Sequence, residues 1–216
     1  MKKIDLAYLP IIGRGEQISI ICTMHDIEVN HLLSTPLGND FDKDKEAPFG
    51  TIPWMKDNAN GLELNDSMAI VQYLVSQYPG PLTPENCEIA ARVNMYWAWV
   101  QDYYSFVLSP FHDIIIENND VFWRNLRLTD SLANGGKETG ISNLTALHKR
   151  RLSFLEQHLA NTNAAPFMTG KVCSYADIFL YTCVRAVQET GGFGVLREAC
   201  NGDPFNDFPI VKNVSD

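Results

Sequence analysis

Three short stretches carry side chains able to do chemistry. Residues Ile4 to Tyr8 alternate apolar with polar or small residues, so a half-buried strand ends at Tyr8. A phenol there stands at the C-terminal edge of a strand, where an open α/β sheet takes its ligand. It donates a hydrogen bond and stays neutral at pH 7. Pro53 falls inside the strand-like segment Ile52 to Met55 and cannot donate to a ladder, so it belongs at an edge or at a special backbone position. A cis bond before it would turn the chain sharply and leave the N–H and C=O of Ile52 free. Asp66 and Ser67 open an apolar helical pattern through Met68, Val71 and Leu74. First-turn N–H groups attract an anion such as a ligand carboxylate. The same residues also fit an ordinary hairpin followed by a helix N-cap.

Two units are needed to position these groups. Strand Ile4–Tyr8, helix Glu16–His25 and strand Val29–Leu33 give βαβ, and Thr35–Glu46 is a polar loop or loose helical turn. Strand, turn, strand and helix follow from Ile52 to Leu74, so residues 1–78 read as a thioredoxin-like α/β domain. Without a CxxC pair it cannot run dithiol exchange. Tyr78-Pro79-Gly80-Pro81 forbids helix and strand alike and marks the boundary. Residues 83–216 read as all-helical, making the fold class α/β plus all-α. The expected helices are Asn86–Phe106, ended or kinked at Pro110, then Asp120–Leu132, Ser142–Leu159 and Ser174–Thr190. Asn134-Gly135-Gly136 should break the second, and Gly191-Gly192 should end the last, which is apolar enough to be central. Phe193–Cys200 reads as one more short helix.

Composition narrows the function classes. A net charge of −9 argues against a nucleic-acid partner, which needs clustered Lys and Arg. The basic cluster His148-Lys149-Arg150-Arg151 reads as one solvated helix turn. No stretch approaches the ~18 apolar residues needed to span a membrane. The five cysteines are scattered, which fits a reduced cytoplasmic protein better than a disulfide framework. No secretory signal is read at Met1-Lys2-Lys3.

The order of the motifs resembles the cytosolic glutathione transferases, especially the tyrosine-type sigma and pi classes. Tyr8, Pro10, Gly13, Arg14 and Glu16 match a first strand that ends in Tyr-x-Pro-x-x-Gly-Arg. Pro48-Phe49-Gly50-Thr51-Ile52-Pro53 resembles the loop to the family's cis-proline, and Asp66 to Leu74 its Gln-Ser-x-Ala-Ile-x-x-Tyr-Leu. Ser174-Tyr175-Ala176-Asp177 resembles its second-domain capping box. The resemblance implies glutathione as co-substrate, no metal, and a thiol activated by Tyr8. A thiol with pKa about 8.5 is a weak nucleophile at neutral pH, and lowering that value by two units takes about 2.7 kcal/mol of preference for the anion. By resemblance Arg14 supports Tyr8, Ile52 pairs its backbone with the cysteinyl unit beside cis-Pro53, and Ser67 holds the γ-glutamyl carboxylate. Phe41 and Lys45 are spaced like the family's Trp-x-x-x-Lys at the glycyl end.

Two departures stand out. Asp66 replaces the usual Gln, so it would hold the ammonium and repel the carboxylate. Trp97-Ala98-Trp99 stands where many sigma-class members carry an acid that reaches across the dimer. The chain also stops at Asp216, where family members usually run further. The apolar co-substrate is expected against Tyr103, Tyr104, Phe106, Leu108 and Phe111, about half of them serving as core. A homodimer is expected, using Tyr96, Trp97 and Trp99. The function implied is a glutathione transferase acting on an apolar electrophile, as in detoxification, or isomerising a lipid-derived substrate. The alternative is a non-catalytic structural or scaffold subunit of the same fold.

Overall fold

The computed structural model describes residues 2–35, 38–108, 130–162, 166–190 and 193–215. Strand β1 (Lys3–Tyr8) pairs in parallel with β2 (Glu28–Thr35), the two joined by α1 (Arg14–Met24). The expected loop after β2 holds a two-residue strand β3 (Gly38–Asn39) against β2 and a single helical turn α2 (Lys43–Glu46). Strands β4 (Trp54–Asp57) and β5 (Glu63–Asn65) follow antiparallel, and α3 (Ser67–Gln77) closes the unit. The sheet order is β3-β2-β1-β4-β5. Ile4, Leu6, Ile18, Ile21, Met55, Ile70 and Leu74 are fully or almost fully buried between the sheet, α1 and α3. The alternation in β1 and the apolar stripe in α3 are the sequence cause of that layer. This is the thioredoxin-like domain expected.

The linker is held to this domain by His25. Its Nδ1–H donates to the Tyr78 carbonyl at 2.7 Å, and the Leu82 N–H donates to its Nε2 at 3.3 Å. A carbonyl only accepts, so these two contacts fix the tautomer.

Helix α4 (Cys87–Tyr103) begins at Asn86, whose Oδ1 accepts the N–H groups of Glu88 and Ile89, and continues into a π-helical turn, Tyr104–Leu108. Pro110 and residues 120–129 lie outside the described residues. The expected break at Asn134-Gly135-Gly136 is absent: one helix, α5, runs from Asp130 to Asn161. Two helical glycines cost about 1 kcal/mol each, less than the packing of Leu144, Leu152, Leu155 and Leu159, buried at about 1.5–3 kcal/mol each. Helix α6 (Tyr175–Glu189) is central, packing on both α1 and α4 through Phe179, Leu180, Cys183, Val184 and Val187. Asp177 accepts from the backbone N–H of Ser174 at 2.8 Å, the reach-back half of the capping box. Helices α7 (Gly194–Ala199) and α8 (Pro209–Ser215) complete the chain. Glu156 of α5 takes the N–H groups of Ile210 and Val211 on its two carboxylate oxygens, both at 2.9 Å, and so caps α8 from outside. All five cysteines are free.

Two expectations about the helical domain are corrected. Tyr96 and Trp97 are 6% and 2% exposed, so they are core and not a dimer surface, and Trp99 is half-buried against Tyr103. Trp97 packs on Phe179 at 5.0 Å between ring centroids. The basic cluster is not one solvated turn either: His148 is fully buried, while Lys149 and Arg150 are exposed. His148 Nε2–H donates to the Pro204 carbonyl at 3.1 Å, and Tyr103 O–H donates to its Nδ1 at 2.9 Å. Burial pushes its pKa below the ordinary 6.5, because the ring cannot be charged cheaply there.

That shift has a sign. Above about pH 6.5 folded and unfolded chains both hold His148 neutral, and its contribution is complete. Below that value the unfolded chain takes up a proton that the folded chain refuses, so the contribution is lost as pH falls. His148→Gln should lower the thermal midpoint at pH 8, and the gap to wild type should narrow on acidification to pH 5. A gap of constant size by calorimetry would show that His148 does not titrate in this way.

Candidate functional site

The site lies where β1 ends, α1 begins and the π-helical turn passes. The Tyr8 hydroxyl accepts the backbone N–H of Arg14 at 3.0 Å. The ring is overlaid by the turn into α1. A Cβ on Gly15 would lie 2.3 Å from two ring carbons, and one on Gly13 would lie 2.8 Å from Tyr8 Oη. Both glycines are therefore needed for the backbone to approach the phenol this closely. The same point on Gly13 is 3.6 Å from the hydroxyl of Tyr104, which brings the helical domain to the phenol. Burial raises the Tyr8 pKa, although the Arg14 and Gly15 N–H groups and the Arg14 charge pull it back. The phenol thus keeps its proton at neutral pH, and with the Arg14 N–H on its lone pair, the O–H is available to donate.

The loop between α2 and β4 supplies the second part. The Ile52–Pro53 peptide is cis. Neither backbone group of Ile52 has a hydrogen-bond partner among the described residues. Asn65 holds the loop: its amide nitrogen donates to the carbonyls of Thr51 and Pro53 at 2.7 and 2.9 Å, and its Oδ1 accepts from Phe49 N–H at 3.4 Å. Asn65 was not singled out in the sequence. A buried amide directly before the Asp-Ser helix start was the signal available.

The start of α3 departs from expectation. Asp66 has a positive φ of 80°, and its Oδ1 accepts from Met68 and Ala69 N–H at 2.9 and 3.4 Å. The carboxylate of the chain itself therefore occupies first-turn donors that an incoming anion would otherwise use. Ser67 is 1% exposed, and its Oγ is buried with no partner in the described structure, as a group awaiting a ligand would be.

The remaining expected residues divide. Phe41 is 2% exposed and stacks on Trp54 at 4.5 Å, inside a small cluster with Ala7 and Ala47. It presents almost no surface to a ligand and acts as packing beneath the Pro53 loop. Lys45 is exposed, but its Nζ is bound to Asp42 at 2.7 Å. Of the apolar wall, Tyr103 and Leu108 are fully buried core. Tyr104 is half-buried and Phe106 is 59% exposed, so both remain open to a ligand, and Phe111 lies outside the described residues. Arg14 reaches the same place: its Nη2 donates to Ser105 Oγ at 2.9 Å, and its guanidinium lies over the Tyr104 ring. A cavity of about 390 Å³ is lined by Tyr8 itself and by Leu9, Pro10, Ile12, Glu16, His31 and Arg185 among others. The described residues contain no group of side chains able to hold a metal. Among the described residues, no helix is long and apolar enough to cross a membrane.

Comparison with solved structures shows the same fold. A glutathione S-transferase from Methylobacillus flagellatus KT with GSH bound superposes with a TM-score of 0.71 at 17% identity, covering 98% of this chain and 92% of that one. A Pi-class glutathione S-transferase from Onchocerca volvulus gives 0.67 at 20% identity, covering 100% and 86%. A Nu-class GST from Haemonchus contortus gives 0.66 at 16% identity, covering 100% and 90%. No curated protein matches the sequence. Residues 15–82 match the model of the glutathione S-transferase N-terminal domain, and residues 138–212 that of the C-terminal domain. The two matches together take in well over half of the chain, so the chain belongs to the glutathione S-transferase family.

Proposed function

We propose that this chain is a tyrosine-type glutathione transferase that activates the glutathione thiol through Tyr8. The observation that carries the reading is the Tyr8 hydroxyl itself. It accepts from Arg14 N–H and keeps a proton to donate, at the C-terminal end of the sheet's central strand, beside a loop that leaves the Ile52 backbone unpaired among the described residues. The peptide would lie with its cysteinyl unit on Ile52, its γ-glutamyl end at Asp66 and Ser67, and its sulfur at Tyr8. Donation from the phenol stabilises the thiolate over the thiol, and the released proton goes to solvent. The thiolate then adds to an apolar electrophile held near Tyr104 and Phe106. Asp66 gives this site an unusual grip: with its carboxylate already on two backbone N–H groups, its second oxygen is left for the ammonium. We also read the protein as cytoplasmic, in keeping with five free thiols.

A second reading, a non-catalytic subunit of the same fold, is favoured by the grip residues. Lys45 is paired with Asp42, Phe41 is internal, and Asp66 fills part of the α3 N-terminus. Passage over immobilised glutathione, followed by a turnover assay, separates the two readings.

Tyr8→Phe should fold and still bind glutathione, because it removes one hydroxyl and little volume. Losing one preorganised donor to a developing anion typically costs ~10²–10³ in rate. The absorbance of bound thiolate should disappear at neutral pH. If turnover stays within a factor of about three (~0.6 kcal/mol), Tyr8 is not the activating group. Asp66→Ala should do the opposite, weakening glutathione binding while leaving the bound thiol's pKa nearly unchanged. Retained affinity in that variant would remove Asp66 from the site.

A homodimer is part of the same reading. With Tyr96 and Trp97 committed to the core, the exposed apolar side chains available to it among the described residues include Phe49, 77% exposed, and Met95, 52% exposed. Wild type should sediment as a dimer at micromolar concentration and Phe49→Ser should shift towards monomer. A wild-type monomer would refute the assembly.

A further inference from the structure

Four strand ends share one edge of the α/β domain. In sheet order they are the end of β5 before Asp66, the start of β4 after Ile52, the end of β1 at Tyr8, and the end of β2. A peptide with its γ-glutamyl end at Asp66 and Ser67 and its cysteinyl unit on Ile52 therefore directs its glycyl end towards β2 and the turn that carries α2. That turn is tied to the site. Asp40 N–H donates to the Leu33 carbonyl at 2.8 Å, and its carboxylate accepts the Leu33 N–H at 3.1 Å, which holds residue 40 at the end of β2. Phe41 stacks on Trp54, with Ile52 packed against the same cluster. Lys43 Nζ donates to the Gly50 carbonyl at 3.2 Å, and a Cβ on Gly50 would lie 3.7 Å from Asp44 Oδ1.

This wall is acidic. Residues 40–46 hold Asp40, Asp42, Asp44 and Glu46 against Lys43 and Lys45, a surplus of two negative charges, and residues 35–39 before them have no ionisable side chain. Both lysines are engaged locally, Lys43 with Asp44 at 2.5 Å and Lys45 with Asp42 at 2.7 Å. A carboxylate that drew Lys45 to itself would leave Asp42 facing it. The free Ile52 backbone and the buried, unpartnered Ser67 Oγ mark the peptide site independently of these acids. The acids decide which peptide end fits there.

We propose that the site prefers, over glutathione itself, a glutathione whose glycyl carboxylate is blocked by an amine in amide linkage, so that this end is neutral or cationic. The inference rests on the transferase reading above and narrows its thiol substrate. A neutral end escapes the repulsion, and a cationic end pairs with the surplus carboxylates.

Three thiols differing by one charge each test this: glutathione, its glycyl amide, and its glycyl aminoethylamide. The electrophile is chlorodinitrobenzene, whose chloride leaves with the C–Cl electron pair after sulfur forms the C–S bond. In wild type kcat/KM should rise in that order, by about threefold per step, the range of an exposed charge pair, and chiefly through KM for the thiol. At about 1 M salt, where the screening length falls to about 3 Å, the series should flatten. Asp42→Asn keeps the N-cap acceptor of α2 and frees Lys45, and Glu46→Gln keeps the acceptor for the Asp42 N–H. Each should narrow the series, and the double variant should favour free glutathione. A wild type fastest with free glutathione overturns the proposal. So does a preference that ignores both salt and the variants, because size and not charge would then govern it. Should wild type turn over none of the three, the transferase reading fails first. Calorimetric binding of the three S-methyl derivatives then reads the site alone. Affinity rising in the same order supports the preference, and equal, reversed or absent binding overturns it.

Discussion

The close approach of the α1 backbone to the Tyr8 ring is the contact on which the site depends. Gly15 lies flat on the ring, Gly13 sits against the hydroxyl, and the next N–H is spent on the phenol oxygen. This arrangement fixes three things together: the orientation of the hydroxyl, the start of α1, and the place where Tyr104 and Ser105 meet the α/β domain. Any side chain at position 15 would have to displace the ring or the helix. The contact across the domains is mainly apolar, through α1 and α6. The bridging ion pair Arg185–Glu16, at 3.3 Å, is partly exposed and worth about 0–1 kcal/mol.

What was legible in the sequence was whatever depends on local pattern. The alternation of Ile4, Leu6 and Tyr8, the apolar stripe from Met68 to Leu74 and the Ser174–Asp177 cap all act over a few residues, and the structure has them in place. What was not legible depends on partners distant in the chain. Phe41 and Lys45 have the spacing of ligand contacts, but Trp54 and Asp42 claim them. His148 sits in a basic run, yet Tyr103 and Pro204 draw it inside. Trp97 is expected at a dimer surface, yet it packs on Phe179 inside the helical domain. The glycines at 135 and 136 read as a stop because propensity is local, whereas the leucines that outweigh them act through tertiary packing.

The electrostatics of the site are redistributed relative to the pattern it resembles. Negative charge sits at the helix end where a peptide carboxylate would be received, and the positive charge of Arg14, on the side of the helical domain, has no ion-pair partner among the described residues. The two ends of the site therefore favour opposite charges.

Asn65 fixes the turn around cis-Pro53 with a single amide group. That dependence makes the loop sensitive to chemical ageing. Deamidation exchanges one NH₂ for an oxygen, a change of about one mass unit that leaves the shape of the side chain intact. The product has no donors to offer, so a carboxylate would face the carbonyls of Thr51 and Pro53, and two attractions would become two repulsions. Burial of Asn65, 7% exposed, keeps water from the amide while the chain is folded. The aged form would therefore arise from openings of the loop or from unfolded chains, and a molecule altered there would keep its secondary structure while losing the surface on which a peptide backbone could pair.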